Sequence, residues 1–579
     1  MANKTNWQQI SSRMKQLSKW HGRLDFDSAL AYMVDFHLTT FNGKSYLDNV
    51  VNVTGNAPAV FADAVRSDLL SSTWQTKVEG NISDSRKTDI EQLIKDLFEQ
   101  ADEYLRNEQE IASLDDWMDN HVGLRGALGI KWVSHIDKDG KLQIKCVPID
   151  MRWCAWKRGG GLKWVAPIFF SNTDAIMADY PDVAGKLIDD SDYVLVEYWD
   201  SQTGEAWVKK GDTYSLEGSG DKIYSETNYF QKPPFVINLA PTGFMLRDKG
   251  YFEHEAEGIL FKNRKLYKEQ NRAMSIEQTI GMDVLYPPYE RETEDMDSAP
   301  AEPVPKSGEV KKVPKGERAQ PVPRGDLNRA SLTAREDIYR QIEMGSPNIA
   351  ELGTTDLRNV PGIWFAKQFE IRAKIETPLF RTIAFTKADL MKLAIHQILV
   401  LGTNTGFVVG KTGKKNKFTA KALGNPDDYS ISFKWGISSK EMEIVNLAQA
   451  QAARGIVPDR IIIRDILQAD DPAGWERELQ LQKAKEANPA ISLLQMAVKY
   501  AEEAADVEDE IEADMLKLQS KILLHDYVMM MRARLNPTPP EQVRQEPIEK
   551  SKANMQGLAS MPKLFGGGGM VGARQPAQK

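Results

Sequence analysis

The sequence predicts an α+β protein, mostly helical, with a block of antiparallel strands set between two helical regions. Three observations predict it. Residues up to about Gly129 carry a helical period, clearest from Asp84 to Arg106, where Ile90, Leu93, Ile94, Leu97 and Phe98 share one face. Between Ile130 and Leu239 the pattern changes to short alternating runs separated by turn residues, the signature of hairpins. From Phe252 onward long helical periods return, two of them bracketing a proline-rich excursion.

The 579 residues exceed one ordinary domain and can bury substantial cores. A formal charge of −8 argues against a protein that coats nucleic acid, but leaves room for local basic patches. No run approaches about eighteen apolar residues, so no membrane span is expected. The start, Met1 to Trp7, lacks the apolar core of a signal peptide. Two cysteines, Cys146 and Cys154, fall on neighbouring predicted strands, which fits a reducing compartment and buried packing groups better than a disulfide.

In the first helical region, Ser28 to His37 is a short apolar segment and Ala57 to Leu70 a helix. Ile130–Val133 and Leu142–Val147 flank Asp137-Lys138-Asp139-Gly140, a hairpin turn. Arg152–Trp156 and Leu162–Phe170 flank Gly159-Gly160-Gly161, and Tyr193–Trp199 pairs with Ala206–Val208. A helix is expected from Asp174 to Leu187, and the strand block closes at Pro233 to Leu239.

The next helix has no proline from Phe252 to Met282, and Gly281 is expected to end it. Ala256, Leu260, Tyr267 and Met274 recur at four- and seven-residue spacing as one apolar stripe. Lys262, Lys265 and Arg272 lie well away from that stripe, and Lys268 adds to the same run, in which Glu269 is the one acid between Ile259 and Ile276. No partner for the stripe is evident within one chain, so it predicts a closed oligomer.

The excursion is acidic from Glu290 to Asp297. It is then punctuated by Pro300, Pro303, Pro305, Pro314, Pro321 and Pro323 and carries Lys306, Lys311, Lys312, Lys315, Arg318 and Arg324. A solvated linker and a small module are both open readings. Short strands are expected at Glu309–Val313 and Ala319–Val322, and the helix that brings the chain back favours the module.

That return helix runs from about Asn328 to Met344, with Ser331 or Thr333 as caps and Gly345-Ser346-Pro347 as its stop. After a loop, Ile363 to Leu401 is apolar-periodic, about 58 Å if fully helical, with a kink expected at Pro378. Tyr429 to Gly436 alternates as a lone strand. Helices follow at Ser439–Arg454, Arg460–Leu467 and Asp471–Glu486, then one long helix from Ala490 to Leu535. Its middle, Glu502 to Asp514, has eight acids and no base, and 536–579 is a Pro-, Gln- and Gly-rich tail expected to be disordered. There is no sequence repeat.

Motifs that carry chemistry are mostly absent. Gly410-Lys411-Thr412 lacks the earlier glycine of a phosphate loop, since position 405 is threonine, and a basic hairpin from Lys411 to Lys417 explains it better. Asp137 to Gly140 starts like a calcium loop but lacks the later ligands, so it reads as a turn. The seven histidines do not pair at metal-ligand spacing, and no Gly-x-Ser-x-Gly elbow occurs. The acids Glu292, Glu294 and Asp295 read as solvated surface. No catalytic, cofactor or metal site is expected.

Three places carry a resemblance. The first is Tyr229-Phe230-Gln231-Lys232-Pro233-Pro234-Phe235-Val236, then Glu253 to Met282 with Glu269-Gln270-Asn271-Arg272. The second is Gly345 to Gly362 followed by Ile363 onward. The third is Ile431-Ser432-Phe433, then Gly455-Ile456-Val457-Pro458 and Asp470-Asp471-Pro472. In this order the parts resemble the portal protein of tailed double-stranded DNA bacteriophages, over most of residues 30 to 490.

The resemblance implies a wing (1–251), a first stem helix (252–283), a clip (284–327) and a second stem helix (328–345). A channel loop (346–362), a long kinked helix with a return strand of the wing (363–436), crown helices (437–535) and a tail (536–579) would follow. It implies a non-enzymatic ring, a dodecamer, at one capsid vertex of the virion, assembled in the host bacterial cytoplasm. Double-stranded DNA would pass through it, and a large terminase ATPase, a tail adaptor, and the major capsid and scaffolding proteins would be its partners, with no membrane. Charge and placement assign Lys262, Lys265, Lys268 and Arg272, with Arg358 and Asn359 of the loop, to the DNA channel. Lys311, Lys312, Lys315 and Arg318 would serve docking on the clip. A virion ring without a DNA channel and a metal-dependent nucleic-acid enzyme are the rival readings.

Overall fold

Thr5 starts the first helix. Its hydroxyl accepts from the Gln8 amide at 3.4 Å while the Gln8 side chain accepts from the Thr5 amide, a reciprocal capping box. The computed structural model describes residues 5–535 apart from 41–42, 49, 184–186, 189–190, 212–215, 244–255, 286–288, 292–318, 322–328, 346–361, 403–405, 414, 438–439, 468–471 and 507–509. The capped helix, α1, spans Asn6–Ala31. It is followed by α2 (Ala57–Leu70), β1 (Ser72–Gly80), α3 (Asp84–Glu108) and α4 (Leu114–Arg125). The strand block comprises β2 (Ala127–Ile136), β3 (Leu142–Ile149), β4 (Cys154–Arg158), β5 (Leu162–Asn172), the short α5 (Thr173–Asp179), β6 (Asp192–Asp200), β7 (Thr203–Lys210), β8 (Asp221–Thr227) and β9 (Phe235–Leu239).

Two antiparallel helices come next, α6 (Arg264–Leu285) and α7 (Arg329–Gly345), with β10 (Tyr289–Arg291) paired to β11 (Ala319–Pro321) between them. Then come α8 (Gly362–Leu401), β12 (Phe407–Val409), β13 (Asn416–Phe418), α9 (Ala420–Leu423) and β14 (Tyr429–Ile437). The last helices are α10 (Lys440–Ala453), α11 (Asp459–Ile461), α12 (Pro472–Ala487), α13 (Pro489–Asp506) and α14 (Glu510–Leu535). The fold is mixed α+β, and no helix among the described residues is long and apolar enough to cross a membrane.

The chain divides into two compact units, Met1–Leu479 and Gln480–Lys579. In the first, β4 to β8 form a five-stranded antiparallel meander, and β2 stands between β3 and β9 in a three-stranded sheet. The main core packs α3, α4 and α8 against β2, β3 and the β1–β14 pair, with Leu93, Leu97, Trp132, Ile383, Leu390 and Ile398 buried. Gln397, fully buried on α8, accepts from the Ser134 amide at 2.8 Å and donates to the Trp132 carbonyl at 2.7 Å. Both ends of the buried amide are satisfied, so it locks the helix to one register on the sheet. Trp7, Ile10, Leu17, Trp20 and Leu24 run along one side of α1 and fill two smaller cores against the sheets.

Several expectations hold. The hairpins around Asp137–Gly140, around the three glycines at 159–161 and between Asp200 and Thr203 are all present. Both cysteines are buried and free, Cys146 in the main core and Cys154 against α1. The expected strand at Ala319–Val322 is β11, whereas Glu309–Val313 lies outside the described residues. The 536–579 tail lies outside them as well.

Others are corrected. The expected all-helical start contains β1, and the strand at 429–436 is not alone: it is β14, paired antiparallel with β1 from Ser72–Ile437 to Gly80–Tyr429. The expected helix from Asp174 stops at Asp179, because Pro181 supplies no amide and restricts Tyr180. Gly281 does not end α6, which continues to Leu285, short of Pro287. A glycine costs an exposed helix about 1 kcal/mol without breaking its hydrogen bonds. α7 begins at Arg329, so Ser331 and Thr333 lie inside it rather than capping it. As expected, one helix, α8, covers the whole of 363–401 with Pro378 inside it, and the Thr382 hydroxyl donates to the Pro378 carbonyl at 2.8 Å.

The single helix expected from Ala490 to Leu535 is instead a hairpin of α13 and α14. Ala490, Ala497 and Ala504, seven residues apart, form the buried seam of α13. Such small side chains let the backbones come close, and the Ser520 hydroxyl donates to the Ala497 carbonyl at 2.7 Å.

Gly126 ends α4 with φ of 61°, the left-handed region, and a Cβ there would sit 2.5 Å from the Glu257 carbonyl oxygen. Gly126→Ala should cost about 2 kcal/mol or more, strain and overlap together, read as a lower urea midpoint. A midpoint equal to the parent's would show that the 257–258 turn can move aside.

Candidate nucleic-acid interface

Three sides of α6 are occupied by the chain itself. On one, Tyr267 is buried in the main core, which Leu260 joins from just ahead of the helix, while Ala256, further upstream, is buried in the core under α1. The apolar stripe therefore has its partner within the same chain, which corrects the expectation that it lacks one. The helix is also shorter than expected. A short turn of 3-10 helix, Ile259–Lys262, precedes Arg264, so Lys262 sits ahead of α6 rather than within it. Upstream of that turn the chain runs close to α4: a Cβ on Gly258 would lie 2.5 Å from the Leu124 carbonyl oxygen.

On the second side, an extended segment is fastened to α6 by side chains one helical turn apart. The amides of Val51, Val53 and Gly55 donate to Thr279 Oγ1 at 3.0 Å, Ser275 Oγ at 2.8 Å and Asn271 Oδ1 at 2.9 Å. Four helical residues rise about 6 Å and two extended residues about 6.6 Å, so the two ladders stay in step over three rungs. On the third side, the Arg335 guanidinium of α7 donates to both oxygens of Glu277 at 2.6 Å, and Asn263 donates to the Ile342 carbonyl at 3.0 Å.

At its base α6 is held by a buried charge network. Arg264 is bidentate to Asp27 of α1, at 2.5 and 2.6 Å, and donates to Glu257 at 2.7 Å. Arg23 pairs with the other oxygen of Glu257 at 2.9 Å. Asp27 is wholly buried; burial pushes its carboxyl up while the Arg264 hydrogen bonds and charge pull it back.

The remaining side of α6 faces outward. Lys265, Lys268 and Arg272 are exposed there within roughly 60° of arc, and exposed Lys262 precedes them. Arg272 and Glu269 are 3.8 Å apart, both about half exposed, so that pair contributes little and leaves the face basic. Three of the four residues expected to form a basic face thus share the outward side of α6, with Lys262 exposed ahead of it, whereas Arg264, in the same run of charges, points into the network. Arg358 and Asn359, and Lys311, Lys312, Lys315 and Arg318, lie outside the described residues.

Sequence reasoning missed the network and the ladder. The ladder had a visible signal, Asn271-Ser275-Thr279 at four-residue spacing, which reads as polar surface until an extended partner is known. The network had none, since Asp27 and Arg264 lie 237 residues apart.

Elsewhere, Lys411 pairs with Glu99 at 3.3 Å and the Thr412 amide donates to Glu103 at 3.0 Å on the turn between β12 and β13. A carboxylate thus occupies the amide a phosphate would need, in keeping with a basic hairpin. Asp137 accepts from the Asp139 and Lys141 amides at 3.0 and 2.8 Å, which is turn chemistry. Among the described residues no group of three or more His, Cys, Asp or Glu could hold a metal ion.

No family model matches the chain, and no curated protein matches it. Among the solved structures that match is the "Neck of native GTA particle computed with C12 symmetry", at 10% identity and a TM-score of 0.34, covering 71% of this chain and 89% of that one. A likeness of this degree carries no weight for the fold or the function of this chain.

Proposed function

We propose that the chain is one subunit of a portal ring at a virion's capsid vertex, a conduit through which double-stranded DNA is packaged and ejected. The observation that carries this reading is the α6–α7 strut, anchored on three sides and presenting Lys262, Lys265, Lys268 and Arg272 outward. A rigid helix with an exposed basic face can touch phosphates one charge at a time, guiding a duplex without gripping it. The order of parts that resembles portal proteins supports the same reading.

Ring closure now rests on residues other than the buried stripe. Ile276, Met282 and Leu285 of α6 and Leu332 and Tyr339 of α7 are exposed apolar groups that a neighbouring copy would cover. In this reading the module at 284–327 docks a separate packaging ATPase and a tail adaptor, the loop at 346–362 meets the duplex, and the chain itself hydrolyses nothing.

Electron micrographs and sedimentation of the purified chain test it. Closed rings many times the 65.2 kDa chain mass are expected, and monomer alone at micromolar concentration would end the proposal. Changing Lys262, Lys265, Lys268 and Arg272 together to glutamine should leave rings intact and lower DNA retention. The remaining retention should depend less steeply on salt, with the slope reduced by up to about 0.9 for each phosphate no longer neutralised. Rings that handle DNA as before would point to a virion ring without a DNA channel. Loss of rings would place the four residues at subunit contacts.

A further inference from the structure

α14 has two seams. Leu516, Ser520, Leu523, Tyr527 and Met530 are half-buried toward α13. On the other side Met515, Leu518, Ile522 and Met529 are each more than half exposed. With His525 they fall at 515, 518, 522, 525 and 529, alternating steps of three and four, which is the a/d spacing of a coiled coil. An exposed seam of this regularity is built to be covered by another helix.

The charges say which helix. From Glu502 to Asp514 there are eight acids and no base, whereas from Met515 to Leu535 there are Lys517, Lys521, Arg532 and Arg534 against Asp526 alone. α14 is therefore acidic at its start and basic over the rest. Two copies side by side in the same direction would bring acid level with acid. Two copies in opposite directions bring the acidic start of each level with the basic end of the other. In that arrangement a positions face d positions, so Leu518 meets Met529 of the second copy and Ile522 meets its His525.

We propose that the exposed seam of α14 binds the same seam of a second copy of this chain, antiparallel, so that two α13–α14 hairpins close a four-helix bundle with two-fold symmetry. The contact is independent of the ring reading. An isologous pair closes on itself, and a ring contact does not.

Cysteine cross-linking of the full-length chain tests it. Cys146 and Cys154 are fully buried and burial pushes their thiols up, so added surface cysteines report cleanly. In Leu518→Cys/Met529→Cys the two new thiols lie about 16 Å apart along one helix, too far to bridge within a chain. Mild oxidation should give a covalent dimer and nothing larger, about tenfold or more above either single-cysteine chain, because docking raises the effective thiol concentration. Because both positions are exposed, the variant should fold like the parent, which its thermal transition verifies. Three outcomes would overturn the proposal: a ladder of trimers and higher species, dimer from a single variant at the same level, or no cross-link in a folded chain. The last would leave the seam to residues 536–579 or to another protein. Rings without this dimer would remove the inference and spare the portal reading, and dimers without rings would do the reverse.

Discussion

Arg264→Met is expected to cost about 3–5 kcal/mol of folding stability, seen as a fall in the urea midpoint at unchanged slope. The arginine is the hub of the charge network beneath α6, bidentate to Asp27 and bonded to Glu257. Removing it strips the wholly buried Asp27 of its bidentate partner, with only the charge of Arg23 still acting on it among the cations described, and leaves Glu257 paired with Arg23. An unpaired charge in such a site is far more costly than the intact pair is stabilising, because the pair itself nearly balances Coulomb gain against desolvation. Asp27→Leu combined with Arg264→Met should therefore recover most of the loss, a strongly non-additive cycle. A single variant within about 1 kcal/mol of the parent would show that water reaches Asp27 and that the network does not anchor the strut.

Asp119→Asn is expected to stabilise the protein at pH 8 by up to about 4 kcal/mol and to do nothing near pH 4. Asp119 lies buried on α4, one carboxylate oxygen without a hydrogen-bond partner. Burial, helped by Asp115 and opposed by Lys387, pushes its pKa to about 7 from 3.8. The folded state then holds a proton that the unfolded state has released between those values, so stability falls as pH rises through them. Asparagine removes the charged form and with it the penalty above pH 7. Asp102, raised to about 6 mainly by burial, titrates in the same direction, so the variant should keep part of the slope. Melting temperatures at pH 5 and pH 8 decide it: an equal gain at both, or a loss at pH 8, would mean that Asp119 is not the titrating group.

Features whose cause is local were legible in the sequence. The turn at Asp137–Gly140, the glycines at 159–161 and the period of α3 each carry their reason within a few residues, and all are present as expected. The basic face of α6 was legible for the same reason, since about 100° per residue places Lys265, Lys268 and Arg272 together whatever surrounds them. Arg264 shows where that reasoning ends. Its charge is that of its neighbours, and only the approach of α1 turns it inward. β1 was hidden differently: its buried positions include Gln75, its strand period is weak, and its partner is remote in sequence. The division of the last long helix between α13 and α14 was hidden because its alanine seam fits one helix as well as two.

The β1–β14 pair also sets a clock for the newborn chain. Ser72 pairs with Ile437 and Gly80 with Tyr429, so the first strand leaves the ribosome long before its mate exists. At about 5–20 residues per second the wait is on the order of 20–70 s. Through that interval α3 can already pack on β1, and Glu91 can accept from the Val78 amide, but the backbone donors and acceptors that β14 takes have no mate, and an unmatched edge invites any passing strand. Loop closure over so long a span comes late and brings no reward until it is finished. The pair is thus a seal on synthesis as well as a part of the core. Until the chain has been made as far as Ile437, the open edge of β1 has no strand of its own chain to close it.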